Sequence, residues 1–193
     1  MIGRLIMAFG GVILAGAAYA DNHLIGDRVA GRAQAGLCRT CHGLDGFARV
    51  PIAPHIGGEP AAYLADQLTA FRDGTRTHEM MTVVASGLSD QNIADLAAWY
   101  AGHKAEAVLA AEETAAPEAC IACHGADGIA LNDDAPNLAG ETNIYIVTQL
   151  KAFRLGKREH EVMSVVAAEM SDAEMRAAAD WYADVALDII EVE

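Results

Sequence analysis

The chain has 193 residues, of which 53% are hydrophobic but only 6% aromatic, enough material for one ordinary domain or two small ones. Alanine supplies much of that apolar fraction and buries little area, so two separate cores would each need a staple such as a metal, disulfides or a cofactor. A formal charge of −14 excludes nucleic acid as a partner class, since phosphate recognition needs a basic surface, and favours basic or patchy protein partners.

Residues 1–20 carry Arg4, an apolar stretch from Leu5 to Ala17 and the small-residue site Ala18-Tyr19-Ala20. This pattern predicts a signal peptide cleaved after Ala20, export of the chain and a mature start at Asp21. The apolar stretch is short for a membrane span, and no later segment is long or apolar enough for one. Loss of Arg4 with the leader takes the formal charge from −14 to −15.

A duplication runs through the rest. Shifted by 82 residues, positions 38–101 align with 120–183 without a gap, and 31 of those 64 positions are identical. Cys38, Cys41 and His42 fall on Cys120, Cys123 and His124. Pro54 falls on Pro136, and Gly58-Glu59 on Gly140-Glu141. The expected division is a leader at 1–20, one unit at 21–103 and a second at 104–193.

In chain order, residues 26–37 read as a helix leading into the first cysteine motif. A Gly- and Pro-rich loop follows. A helix is predicted over 60–73, with Pro60 at its first position, Leu64, Leu68 and Phe71 on one face, and Gly74 as its stop. Ser89 caps a last helix whose apolar stripe is Ile93, Leu96, Ala97 and Tyr100. The Ala/Glu-rich stretch from Lys104 to Ala119 joins the units, and its end is expected to form the second unit's leading helix, interrupted by Pro117. In the second unit Ser171 and Glu174 make a capping box ahead of the stripe Met175, Ala178, Ala179 and Tyr182. No alternating strand pattern is evident, so each unit reads as all-α with one long loop.

All four cysteines lie in two C-x-x-C-H motifs, Cys38–His42 and Cys120–His124. Two thiols three residues apart on a helical turn can both add to the vinyl groups of a haem, and the adjacent His can then bind the iron. Zinc would want the two pairs closer than the 78 residues between Cys41 and Cys120. A thioredoxin-like pair would want a βαβ context, and a disulfide gives His42 and His124 no role. The motifs therefore predict two covalently bound haem c groups.

Methionine is the usual sixth ligand of an electron-carrying haem. Met81 and Met163 each lie 43 residues after their first cysteine, in matching segments. His78 and His160 occupy equally matched positions and are rival ligands or solvated loop residues. The Pro54 and Pro136 carbonyls can accept from the second nitrogen of an iron-bound His, or mark plain turns. Arg76 and Arg158 can pair with haem propionates or be surface charges. Trp99/Trp181 and Tyr100/Tyr182 read as packing residues.

The chain resembles the dihaem cytochrome c4 family, built from two class I cytochrome c domains. The resemblance rests on both C-x-x-C-H motifs, the Pro-x-Ile/Leu-x-Gly loops, the Phe-Arg-x-Gly-x-Arg segments, Met81 and Met163, and the closing Trp-Tyr helices, over about residues 24–185. It is also similar to the cytochrome subunit of flavocytochrome c sulfide dehydrogenase. The resemblance implies His/Met ligation of both irons, a periplasmic location and a pseudo-two-fold arrangement with the haem edges facing each other. An electron carrier is thus expected between a quinol-oxidising complex and a terminal oxidase or reductase. The alternative is a subunit accepting electrons from a flavoprotein dehydrogenase. A dihaem peroxidase is disfavoured, because it needs one open iron and usually two unlike domains.

Overall fold

A computed structural model of the chain describes residues 24–192. The leader expected at 1–20 lies outside the described residues.

The first unit starts with α1 (Arg28–Gln34), where the Asp27 carboxylate accepts from the Val29 and Ala30 N–H groups that a helix start leaves unpaired. The single helix expected over 26–37 tightens after Gln34 into a 3-10 turn at Ala35–Leu37, and α2 (Arg39–His42) carries the cysteine motif. Helix α3 spans Ala61–Asp73, with Pro60 as its cap and Gly74 closing it at φ 80°. Helix α4 (Met81–Ala85) is short, and α5 (Asp90–Ala101) begins at a capping box between Ser89 and Asn92. The expected stripe Ile93, Leu96, Ala97 and Tyr100 is buried.

The second unit repeats this with α6 (Glu118–His124), α7 (Asn143–Arg154), α8 (Met163–Glu169) and α9 (Asp172–Ala183). The Ser171–Glu174 capping box is formed, and Met175, Ala178, Ala179 and Tyr182 are buried. Burying one such large side chain contributes about 1.5–3 kcal/mol. Each unit has its own cluster: Leu64, Leu96, Trp99 and Tyr100 in the first, and Ile146, Phe153, Met175 and Tyr182 in the second.

Two expectations are corrected. The stretch from 104 does not build a separate leading helix for the second unit. It continues a strand, β1 (His103–Val108), passes through a 3-10 turn at Glu113–Ala115, and reaches α6 only after Pro117. Proline has no N–H to give and a fixed φ, so the helix opens behind it and is at once the cysteine-motif helix. The fold is also not free of strands: β1 pairs antiparallel with β2 (Ala186–Glu191), His103 opposite Glu191 and Val108 opposite Ala186. Helix still dominates, and the all-α class holds with this one small sheet.

The missing helix makes the units unlike on one side. In the first, α1 lies against α5 so closely that a Cβ on Gly31 would sit 2.0 Å from the Asp95 carbonyl oxygen. The Asp27 N–H and the Gln34 amide donate to the Asp95 carboxylate. In the second, the repeat counterparts of Ala94, Asp95 and Ala98 are Arg176, Ala177 and Asp180, all exposed on α9. Where no helix covers the face, charged side chains stand on it.

The sheet sits at the junction of the units. Leu187 packs over Gly140, Ala105 over Gly58 and Ile189 over Gly57. Gly58 and Gly140 adopt φ 77° and 67°, a conformation that suits a residue without Cβ, and each donates its N–H to the last turn of its own closing helix, at Tyr100 and Tyr182.

Candidate haem-binding centres

Each C-x-x-C-H motif lies on a single helical turn that ends at a glycine of positive φ, Gly43 or Gly125. The turn is held from behind by the closing helix. Trp99 Nε1 donates to the Leu44 carbonyl at 2.9 Å, and Trp181 Nε1 to Ala126 at 2.8 Å. The Tyr100 and Tyr182 hydroxyls donate to the Gly43 and Gly125 carbonyls at 3.3 and 3.0 Å. These aromatic residues therefore fix the attachment turn as well as fill the core.

His42 and His124 are buried. Nδ1 of His42 lies 2.9 Å from the Pro54 carbonyl oxygen, and Nδ1 of His124 2.8 Å from that of Pro136. A carbonyl only accepts, so Nδ1 carries the proton in each ring and Nε2 keeps its lone pair. Burial pushes both imidazoles below the usual histidine range, which keeps them neutral and able to ligate.

The four cysteines are not joined in disulfides. Burial pushes the Cys38 and Cys120 thiols up, away from the reactive thiolate of a redox pair. Among the described residues no three His, Cys, Asp or Glu side chains gather as a zinc ion would need.

Met81 and Met163 open α4 and α8, both half-buried, and Met163 packs against the core of its unit. The rival histidines precede them and are exposed. Nδ1 of His78 accepts from the backbone N–H of Met80 and Met81, and Nδ1 of His160 from that of Val162 and Met163. Thr82 and Ser164 complete each box by accepting from the His78 and His160 N–H groups. The matched histidines thus have a local task as caps of the methionine helices.

Arg76 and Arg158 meet at the junction of the units. Arg76 donates to Gln67 in its own unit and to Gln149 in the other, at 2.6 and 2.8 Å, and Arg158 donates to Gln149 and Gln67, both at 2.9 Å. Each guanidinium also lies over the phenylalanine of its own unit, Phe71 or Phe153, 4.5 Å from the ring centre. Among the described residues neither has a carboxylate within ion-pair reach. Sequence reasoning missed Gln67 and Gln149, although both recur at the 82-residue offset.

The residues present fit a haem in each unit. Each offers two thiols on one turn, an imidazole with its Nε2 free, a half-buried thioether, and a guanidinium that lacks, among the described residues, the anionic partner a propionate would supply.

No protein-family model matches the chain. Cytochrome c4 of Pseudomonas aeruginosa is 32% identical over 178 residues, covering 82% of this chain and 89% of that protein. A thiosulfate dehydrogenase electron acceptor of Thiomonas intermedia is 34% identical over 172 residues, covering 78% and 79%. The crystal structure of reduced recombinant cytochrome c4 from Pseudomonas stutzeri superposes with a TM-score of 0.73 at 28% identity, covering 83% of this chain and 100% of that one.

Two class I cytochrome c units in one chain, with two haem c groups, define a dihaem electron carrier rather than an enzyme. Within that class the chain belongs to the cytochrome c4 family. It moves electrons between redox partners, and no described helix is long and apolar enough to cross a membrane.

Proposed function

We propose that the chain is a periplasmic shuttle, taking electrons from a quinol-oxidising complex and delivering them to a terminal oxidase or reductase. In this reading the units 21–103 and 104–193 each hold one haem. Cys38 and Cys41 attach the first, with His42 and Met81 on its iron; Cys120 and Cys123 attach the second, with His124 and Met163. A haem so ligated supplies a reversible one-electron centre. The protein's part is to keep His42 and His124 in the Nε2-free tautomer and to seat Met81 and Met163 on capped helices. Arg76 and Arg158 would supply counter-charge to the propionates.

The observation that carries this reading is the equivalence of the two centres. The His–Pro hydrogen bond, the capped methionine helix and the bridging arginine occur in both units with the same partners. Two like centres suit a carrier. A peroxidase would need one of them opened.

One relative favours a second reading. The Thiomonas intermedia protein accepts electrons from thiosulfate dehydrogenase, so this chain could serve as the acceptor of a dehydrogenase of sulfur compounds, a flavoprotein included. Isolation from native soluble and membrane extracts separates the two. A shuttle elutes free and is reduced by the quinol-oxidising complex; stoichiometric co-elution with a dehydrogenase overturns it in favour of the subunit.

A further inference from the structure

Glu59 and Glu141 recur in the repeat and are almost fully buried, at 4% and 3% exposure, yet neither belongs to the centres described above. A buried carboxyl is costly unless it is partnered, so each asks for an explanation. Both reach across the junction. Glu141 Oε1 accepts from the backbone N–H of His55 at 2.7 Å, and Glu59 Oε2 accepts from the backbone N–H of Asn137 at 2.9 Å.

His55 follows Pro54, and Asn137 follows Pro136. The N–H held by Glu141 and the carbonyl that accepts from His42 therefore belong to one peptide group. The same is true of the N–H held by Glu59 and the carbonyl that accepts from His124. In each unit a line of hydrogen bonds runs from a carboxyl of the other unit, through one planar peptide, to the ring Nδ1–H of the buried histidine. A peptide whose N–H is bound by a carboxyl oxygen is polarised, so its carbonyl becomes the better acceptor and its orientation is fixed. The side chains after the prolines hold the same peptides from a second direction. His55 accepts from Ala48 N–H and bonds the Gly140 carbonyl; Asn137 accepts from Ala130 N–H and donates to the Gly58 carbonyl.

We propose that Glu141 is a positioning residue for His42 and Glu59 for His124, each acting across the junction through a single peptide group. The arrangement is crossed: the carboxyl of one unit tunes the histidine of the other. A stronger bond from Nδ1–H gives the ring more electron density at Nε2, which stabilises an oxidised iron over a reduced one. This rests on the reading of His42 and His124 as iron ligands.

The test uses the ¹⁵N-labelled reduced holoprotein. NMR reads the Nδ1–H resonance of each histidine, and a redox titration reads the midpoint of each haem. The expected result is that Glu141→Ala moves the His42 Nδ1–H upfield and raises the midpoint of the first haem, leaving His124 in place. Glu59→Ala does the mirror image. Glu141→Gln, which keeps an acceptor oxygen, lies nearer the wild type than Glu141→Ala. An E141A change confined to His124, or shared equally by both histidines, overturns the proposal. So does no change at all. Should E141A fail to assemble, the wild type decides by itself. The His55 and Asn137 amide protons should lie far downfield and exchange slowly, and ordinary, fast-exchanging amides overturn the proposal. If the wild-type His42 ring shows no haem ring-current shift, the ligand reading fails. If it shows one and E141A leaves Nδ1–H unmoved, the crossed relay alone fails.

Discussion

Arg158 donates to the phenolic oxygen of Tyr63 at 3.1 Å, from the second unit into the first. With its bonds to Gln67 and Gln149, this makes the guanidinium a strap between the units. Hydrogen bonds from a charged donor are each worth about 1.5–3 kcal/mol before solvent screening. Arg158→Ala should therefore cost the holoprotein about 1–3 kcal/mol, read by denaturant unfolding, and Arg158→Lys should recover only part of that because lysine lacks the fork. An alanine variant as stable as the wild type would contradict a strapped junction.

The methionine and histidine rivals separate cleanly by substitution. Met81→Ala or Met163→Ala should abolish the thioether-to-iron absorption at the red end of the ferric spectrum for that haem and open its iron to added ligands. His78→Ala or His160→Ala should leave the ligand spectrum intact and cost about 0.5–2 kcal/mol through loss of a helix cap. High-spin histidine variants alongside unchanged methionine variants would reverse the assignment.

The unlike flanks of the two units give a paired test. Gly31→Ala puts a methyl group 2.0 Å from the Asp95 carbonyl oxygen, so α1 must lift from α5. A cost of about 1–3 kcal/mol is expected. Position 113, at the repeat offset, lies in an exposed turn, and Glu113→Ala should stay within about 0.5 kcal/mol of wild type. Thermal unfolding of the two variants side by side checks this.

The junction should have a stability optimum in pH. Burial pushes Glu59 up to about 8 from an ordinary 4.5, so the folded state holds a proton that the unfolded chain has lost. That contribution is complete below 4.5, falls as pH rises towards 8 and is gone above it. Glu141 moves the same way, by burial and by the nearby Glu59 charge. On the acid side His55 acts. Its Nδ1 accepts from Ala48 N–H, so protonation sets two donors face to face, and burial holds the ring below the usual 6.5. Its contribution is present above 6.5 and lost as pH falls through the depressed value. Glu59→Gln should flatten the alkaline limb. His55→Asn should flatten the acid limb and keep the junction, because Asn137 already does the same work in the other unit. Unfolding midpoints across pH check both limbs.

Much of this architecture is written locally. Ser89 and Ser171 announce α5 and α9 because a cap needs only three neighbouring residues, and the buried stripes follow from helical spacing. The strand His103–Val108 is rich in Ala, Lys and Glu, poor strand formers, and its partner lies some eighty residues on, so its pairing is a tertiary event. The repeat displays Gly-Glu twice, but glutamate ordinarily seeks water, and only the meeting of the two units buries Glu59 and Glu141. The loss of the second leading helix left its trace in Arg176 and Asp180. Those charges are informative only once α1 is known to cover the matching face of α5.

The most direct measurement of the central claim is coulometric titration of the holoprotein, with the absorption spectrum followed throughout. Two like centres predict two electrons per chain, both haems low-spin in each oxidation state, and no peroxide turnover with an added reductant. One electron per chain, or a high-spin haem that turns over hydrogen peroxide, would contradict the account.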